Sequence, residues 1–223
     1  MSVFDIDEGY YLDGVEQLSK NSSLIIYAED PEFYSCYLTP KTTVYPGGMS
    51  CDRVRHHVKS SSNENIAGIV DGDFDDEVEH PNLFKIDYYS IENIALRHHK
   101  TMEALKQKIY DYLKTNFDNK FRLKISFDSN KFTVLKHDQR ISRNYYQYLN
   151  RKIIDADSYI NYMDIKEVVN AYGKRKKCNY QKSLPTQVGF DSLFSEEELG
   201  RILEKLCQYE AIDIPPEPIV PFT

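Results

Sequence analysis

The sequence predicts an α/β fold with a mainly parallel sheet flanked by helices, followed by a helical and β-hairpin appendage. Two observations support this prediction. Within residues 1–100, short apolar runs rich in β-forming residues alternate with short helix-like segments, which is typical of parallel strands joined by crossover helices. From residue 101 onward, longer amphipathic segments surround one stretch of strict alternation. We therefore predict an α/β domain over residues 1–100 and an appendage over 101–223.

The elements of the first part are defined by apolar runs and by the turn and capping residues between them. Asp30-Pro31 suits the start of a helix, and Pro40 ends it. Ser50 or Asp52 can cap a second helix, and Ser90 can open a third. The predicted strands are 23–29, 42–48, 65–71 and 83–89, and the predicted helices are 31–38, 51–59 and 91–99.

The second part is predicted to contain helices and one hairpin. Residues 101–117 place apolar side chains at helical spacing, and residues 121–136 alternate around the turn-forming "DSN". The tyrosine-rich stretch 141–172 reads as one or two helices. Residues 173–185 form a basic loop in this prediction, and 195–210 form a last helix that begins with a capping-box pattern.

Charge is distributed unevenly along the chain. The formal net charge is −7, yet residues 1–100 carry 18 acidic against 8 basic side chains, and residues 120–182 carry 15 basic against 6 acidic ones. An acidic half joined to a basic segment is expected if one part binds cations and the other binds a polyanion. Uneven solvated surface would give the same counts.

The chain lacks the features of a secreted or membrane protein. Its acidic opening has no basic segment followed by an apolar one, and no apolar run approaches the roughly 20 residues that span a bilayer. The four cysteines are widely spaced, which excludes a CxxC zinc or redox motif. We expect a cytoplasmic protein with free thiols and no membrane partner.

Carboxylates follow two of the predicted strands at the point where each strand ends. Glu29 follows the first strand, and Asp71 and Asp73 follow the third. Ligands of parallel α/β sheets bind beyond the carboxyl ends of the strands, so these acids converge if the two strands are neighbours. Mg²⁺ prefers such oxygen ligands. The alternative is that Glu29 caps a helix and that the acidic stretch 71–79 is a solvated loop.

The basic loop is a second candidate site. It contains Lys174, Arg175, Lys176 and Lys177 within a region rich in tyrosine, and cations beside aromatic rings bind single-stranded nucleic acid. The same four side chains could instead dock an acidic surface of a partner protein. No P-loop is present, so an ATPase activity would have to come from another chain.

Several of these motifs resemble a known family. "LIIYAED" with Glu29, "VYPGG", and "GIVDGDFDD" with Asp71 and Asp73 are similar to the Toprim domain of topoisomerases, bacterial primases and OLD-family nucleases. "FKIDYYSIENIAL" resembles the Y-S-I-E-N signature of Toprim-like proteins from bacterial defence operons, such as the AriB effectors of PARIS anti-phage systems. The resemblance covers roughly residues 22–100 and assigns the Toprim-like catalytic domain to this part of the chain.

The resemblance implies a metal-dependent nuclease that defends bacteria against phage. Glu29, Asp71 and Asp73 match the Toprim catalytic acids and metal ligands, with Mg²⁺ or Mn²⁺ as cofactor, and Glu92 matches the glutamate of the signature. An ABC-type ATPase is implied as the partner that restrains the effector, tRNA as the substrate, and a homodimer as the active state. An OLD-like DNA nuclease and a catalytically silent module that regulates an ATPase are the alternatives.

Overall fold

A computed structural model describes residues 23–75, 80–129 and 131–212. Residues 76–79 of the predicted acidic loop and residue 130 at the hairpin turn lie outside the described residues, as do both ends of the chain.

Four short strands form a parallel sheet. Their order is β2-β1-β3-β4, so β1 and β3 are central neighbours. Every residue of these two strands is buried, as expected for a parallel sheet that is covered on both faces. The predicted α/β class and parallel sheet are therefore confirmed. The strands are β1 (Leu24–Ala28), β2 (Thr42–Val44), β3 (Ile66–Val70) and β4 (Leu83–Lys85).

Three helices of the first part connect and cover these strands, and a fourth helix opens the second part. They are α1 (Pro31–Tyr34), α2 (Cys51–Ser60), α3 (Ile91–His98) and, in the second part, α4 (Glu103–Asn116). Helix α2 packs closely on the sheet because Gly68 of β3 has no side chain. A Cβ there would lie 2.8 Å from methyl carbons of both Val54 and Val58.

The second part adds a hairpin and five further helices. The strands of the hairpin pair antiparallel, the second and third of the five helices pack against α3, and the second also contacts α4. Asp155 and Ser158 cap the second of these helices reciprocally, and the Ser195 side chain accepts a hydrogen bond from the N–H of Glu198 at the start of the last. The elements are β5 (Phe121–Asp128), β6 (Lys131–Arg140), α5 (Tyr146–Lys152), α6 (Ala156–Tyr162), α7 (Lys166–Lys176), α8 (Tyr180–Ser183) and α9 (Glu196–Gln208).

Several predictions about these elements are wrong in detail. Residues 141–172 contain α5, α6 and most of α7, instead of one or two helices. The fourth strand ends at Lys85 instead of residue 89, because the N–H of Asp87 bonds to Leu193 and that of Tyr89 to Asn161. The predicted basic loop begins inside a helix, since α7 continues to Lys176. The first helix is also shorter than predicted and ends at Tyr34.

One hydrophobic cluster contains residues from both parts of the chain. Leu24 and Ile69 of the sheet belong to it together with Val169 of α7 and Ile202 of α9. None of the described helices is long and apolar enough to cross a membrane. The four cysteines are free thiols.

Candidate functional site

The carboxyl ends of β1 and β3 bring their terminal acids to one edge of the sheet. Ala28 pairs in register with Ile69, so Glu29 and Asp71 leave neighbouring strands at nearly the same level. The two carboxyl groups lie close enough to influence each other's pKa. Asp73 follows in the same turn. The structure therefore brings together the three predicted acids Glu29, Asp71 and Asp73, which we call the acid centre.

The turn after β3 has an unusual backbone that presents Asp73. Gly72 and Asp73 donate their N–H groups to the carbonyls of Tyr88 and Tyr89, each at 3.0 Å. A Cβ on Gly72 would lie 2.2 Å from the Tyr88 carbonyl oxygen, so only glycine fits there. Asp73 has a φ of 40°, in the left-handed region that aspartate and asparagine enter more readily than most residues.

The thiol of Cys51 lies beside the carboxylates of Glu29 and Asp73. Ligand atoms of Glu29, Cys51 and Asp73 all lie within 4.8 Å of one another. Cys51 is the first residue of α2. Burial raises the pKa of the Cys51 thiol to about 12. The sequence motifs gave no reason to expect a sulfur atom at this place.

Lys166 brings a positive charge into the acid centre. Its Nζ lies 2.9 Å from Oδ2 of Asp71 and 3.9 Å from Oδ1 of Asp73. Lysine at the first position of a helix opposes the helix dipole, so its placement depends on these carboxylates. Lys166 could not be predicted from the sequence, because a lysine among many in a basic segment carries no signal of a partner 95 residues earlier.

Burial and mutual repulsion favour protons on the acids. Burial raises the pKa values of Asp71, Glu29 and Asp73, and the Lys166 ammonium opposes that rise at each of them. Burial also opposes the charge on Lys166, but the combined attraction of Asp71, Asp73 and Glu29 outweighs it, and the pKa of Lys166 is raised. Bound divalent cations reverse this situation, because they bind the deprotonated ligands and release protons.

Two buried groups beside the acid centre extend its charged environment. Burial, together with the charges of Glu92 and Glu29, raises the pKa of Asp30 to about 6, and Gln181 donates a 2.8 Å hydrogen bond to its carboxylate. The hydroxyl of Tyr34 is buried and has no hydrogen-bond partner among the described residues. Its pKa is raised by burial and by the charges of Asp71, Asp30 and Glu29.

The donor set fits a divalent cation. Two carboxylates and a thiol offer three ligand atoms, the number that open metal sites take from the protein. A buried tyrosine hydroxyl without a partner suits a metal-bound water, since buried polar groups are almost always hydrogen-bonded. Asp71 lies outside the three-atom group and instead holds Lys166.

The Y-S-I-E-N segment does not contribute ligands to the acid centre but stabilises the chain segments around it. Glu92 is buried in the first turn of α3 and accepts hydrogen bonds from Tyr180 at 2.9 Å and Asn170 at 3.1 Å. It is not among the three clustered ligands. Asn93 donates to the carbonyls of Ile160 and Met163 at 2.6 and 2.8 Å. These bonds fix the chain just before α7 and thereby help to position Lys166.

A groove of about 440 Å³ runs along α7 beyond Glu92. Asn170 and Tyr180 line it and contact Glu92, and Gln181 lines it and contacts Asp30. Its other end reaches Lys174. The groove therefore connects the surroundings of the acid centre with the basic end of the same helix.

The four predicted basic residues are exposed at the C-terminal end of α7. Lys177 ends the helix with a φ of 52°. Arg175 donates to the Ser129 carbonyl and lies over the ring of Phe127, so it also ties α7 to the hairpin. Cations at a helix C-terminus complement the dipole. We call Lys174, Arg175, Lys176 and Lys177 the basic end.

Comparison with known protein families, with curated proteins and with solved structures gives no match. The assignment of a function therefore depends on the geometry of this site and on the motifs of the sequence.

Proposed function

We propose that this protein is a divalent-metal-dependent nuclease that cleaves RNA, with tRNA as its substrate in anti-phage defence. The observation that carries the proposal is the meeting of Glu29, Asp73 and the Asp71–Lys166 pair at the carboxyl edge of the sheet. Phosphodiester cleavage needs positive charge at the phosphate as negative charge develops there. This edge combines ligands for a cation with a fixed ammonium.

Each group of the acid centre has a role in this proposal. Glu29 and Asp73 would hold a divalent cation, which supplies Lewis-acid stabilisation of the phosphate and activation of water. Asp71 orients Lys166 through their 2.9 Å contact. The Lys166 ammonium faces the same carboxylates and would contact a non-bridging phosphate oxygen. Glu92 acts indirectly, because its carboxylate is held by Tyr180 and Asn170.

The basic end supports a nucleic-acid substrate. Lys174 lies eight residues after Lys166 on the same helix, which corresponds to about 12 Å along its axis. A strand whose phosphate lies at Lys166 could follow the groove and meet the exposed lysines. RNA is preferred over DNA because of the family resemblance, since positive charge alone binds both.

The experiment that tests the proposal measures cleavage of purified tRNA and of supercoiled plasmid with and without Mg²⁺. We expect Mg²⁺-dependent cleavage of tRNA, no cleavage of plasmid, and loss of activity in Glu29→Gln. Glu32→Gln is the matched control, because Glu32 lies one turn away, exposed and paired with Lys182. Cleavage of plasmid alone would make the protein a DNA nuclease. Cleavage of neither substrate would overturn the proposal and favour a silent regulatory module.

Restraint by an ABC-type ATPase is part of the same proposal and is supported by the resemblance alone. The proposal predicts that an ABC-type ATPase is encoded beside this chain and that co-expression of the two proteins yields one complex. Separate elution of the two proteins at micromolar concentration would contradict the restraint without affecting the cleavage experiment.

A further inference from the structure

Cys51 is placed in the acid centre by two structural elements at once. As the first residue of α2, it lies where the helix meets the carboxyl end of β1. The Glu29 carboxylate in turn follows the last residue of β1 directly, so regular elements position both the thiol and this carboxylate. The sulfur and one oxygen each from Glu29 and Asp73 lie within 4.8 Å of one another.

These separations are close to those of a metal site. With bonds of about 2.3 Å to sulfur and 2.0–2.2 Å to oxygen, the ligand atoms around a tetrahedral ion lie about 3.3–3.7 Å apart. Small rotations of the three side chains would close the remaining distance. The half-buried thiol also packs against a second, smaller hydrophobic cluster, which includes Tyr27, Val54 and Val70. This packing restricts the movement of the thiol away from the carboxylates.

We propose that Cys51 is a metal ligand and that the centre formed by Glu29, Cys51 and Asp73 takes a thiophilic divalent cation such as Zn²⁺. A soft thiolate ligand favours Zn²⁺, whereas Mg²⁺ in the same centre would be held by the oxygen atoms of Glu29 and Asp73 and by water. The metal–sulfur bond replaces the S–H bond, and the proton is released to solvent. Three protein ligands leave the fourth position to water or substrate.

The orphaned hydroxyl of Tyr34 is an independent observation that favours a bound ion here. This side chain is 1% exposed, and its hydroxyl has no hydrogen-bond partner among the described residues. A water held in the fourth position would provide one. Packing alone explains a half-buried cysteine, but it does not explain a buried tyrosine oxygen that has no partner in the described part of the chain and feels the charges of Asp71, Asp30 and Glu29.

The inference rests on the proposed function only in taking the acid centre to be a metal site, and it is tested by binding. The other cysteines are replaced with serine (Cys36→Ser, Cys178→Ser and Cys207→Ser), which leaves Cys51 as the only thiol. Removing Cys178 matters because its sulfur lies 3.9 Å from Nε2 of His99. Co²⁺ is then titrated, and its thiolate charge-transfer absorption in the near ultraviolet is recorded.

We expect this absorption to saturate at one Co²⁺ per chain and to be displaced by Zn²⁺. It should be lost in Glu29→Gln in the same background. The matched control keeps the exposed Cys36 as the only thiol and should give no band. Zn²⁺ should also slow alkylation of Cys51 at least tenfold and leave alkylation of Cys36 in the control protein unchanged.

Two results would overturn the inference. One is Co²⁺ binding without a thiolate band in the protein that has Cys51 alone. The other is an undiminished band in the full chain carrying Cys51→Ser. A Cys51-dependent band in a protein that cleaves neither RNA nor DNA would instead overturn the proposed function and leave this inference standing.

Discussion

The two ends of α7 carry lysine in opposite settings. Lys166 at the N-terminus is half-buried, opposes the helix dipole and is held by Asp71 and Asp73. Lys174, Lys176 and Lys177 at the C-terminus are exposed and complement the dipole. A single charge in a partly desolvated site has a large effect on a neighbouring charge, because attraction is stronger and screening is weaker there. Exposed charges each contribute little, and their effect depends on how many there are. We therefore expect mutations at Lys166 to lower the cleavage rate and mutations at the basic end to weaken the binding of nucleic acid.

The largest effect should come from removing the ammonium at the acid centre. In Lys166→Met, the cleavage rate should fall about 10²- to 10³-fold, as when another fixed group that stabilises transition-state charge is deleted. Affinity for RNA should change less than threefold, since one of many cations is lost. Single-turnover cleavage and equilibrium binding measure the two quantities. Lys174→Met is the control at the other end, and equal losses of rate in both variants would erase the distinction between the ends.

The next effect concerns the pH dependence of stability beside the acid centre. The pKa of Asp30 is raised from 3.8 to about 6 by its burial, so the folded state binds this proton more tightly than the unfolded state. Stability is therefore lost as pH rises from about 4 to about 6, by up to about 3 kcal/mol. Asp30→Asn should remove this loss, because Asn can still accept the hydrogen bond from Gln181.

Urea unfolding of the metal-free protein at pH 4 and pH 8 tests that expectation. Asp30→Asn should match the parent at pH 4 and exceed it at pH 8. Asp138→Asn is the control, because the Asp138 side chain is 98% exposed. If the free energy of unfolding depends on pH in the same way in the parent and in Asp30→Asn, the pKa of Asp30 is not raised in the folded protein.

A smaller effect is expected when Asp73 is replaced, and it shows whether this residue binds metal or only pairs with a neighbouring charge. Asp73→Asn keeps a residue that tolerates a φ of 40°, but it removes one ligand and one repulsive charge. The metal-free variant should be at least as stable as the parent. A Mg²⁺ concentration that stabilises the parent by about 2.7 kcal/mol, at 100 times its Kd, should stabilise the variant by less than about 1 kcal/mol.

Thermal unfolding with and without Mg²⁺ measures this difference. Asp75→Asn is the contrasting variant, because Asp75 pairs with Arg55 at 2.6 Å and lies outside the three-ligand group. It should lose up to about 1 kcal/mol without metal and keep the Mg²⁺ response. An intact Mg²⁺ response in Asp73→Asn would remove Asp73 from the metal site.

The smallest effect should be found at the basic end. Each phosphate contact contributes about −0.7 to the slope of log affinity against log salt for a single strand. Replacing Lys174, Lys176 and Lys177 with Ala should flatten that slope by about 2. Arg175→Ala should flatten it less, because Arg175 is engaged with Ser129 and Phe127. An unchanged slope with weaker binding of the ATPase would make the basic end a docking surface.

The sequence was sufficient to predict the sheet and its terminal acids, because strand periodicity and parallel connections are local properties. Glu29 and Asp71 follow buried strands directly, and adjacent parallel strands end at one edge. The meeting of Cys51 and Lys166 with these acids could not be predicted, since it depends on how α2 and α7 pack. The end of α7 was misplaced because Gly173 has low helix propensity, yet it is buried beside Met102 and Cys178, and packing overrides propensity.

The 95-residue separation between Asp71 and Lys166 also sets when the acid centre is completed during synthesis. Chains are made from the N-terminus, and the parts that emerge first begin to fold first. The sheet with its acids therefore leaves the ribosome well before α7 does. An unfinished chain, or one truncated before residue 166, holds the acids without their lysine. Under the proposed function, this order of assembly would leave each incomplete copy without the ammonium on which its cleavage rate depends.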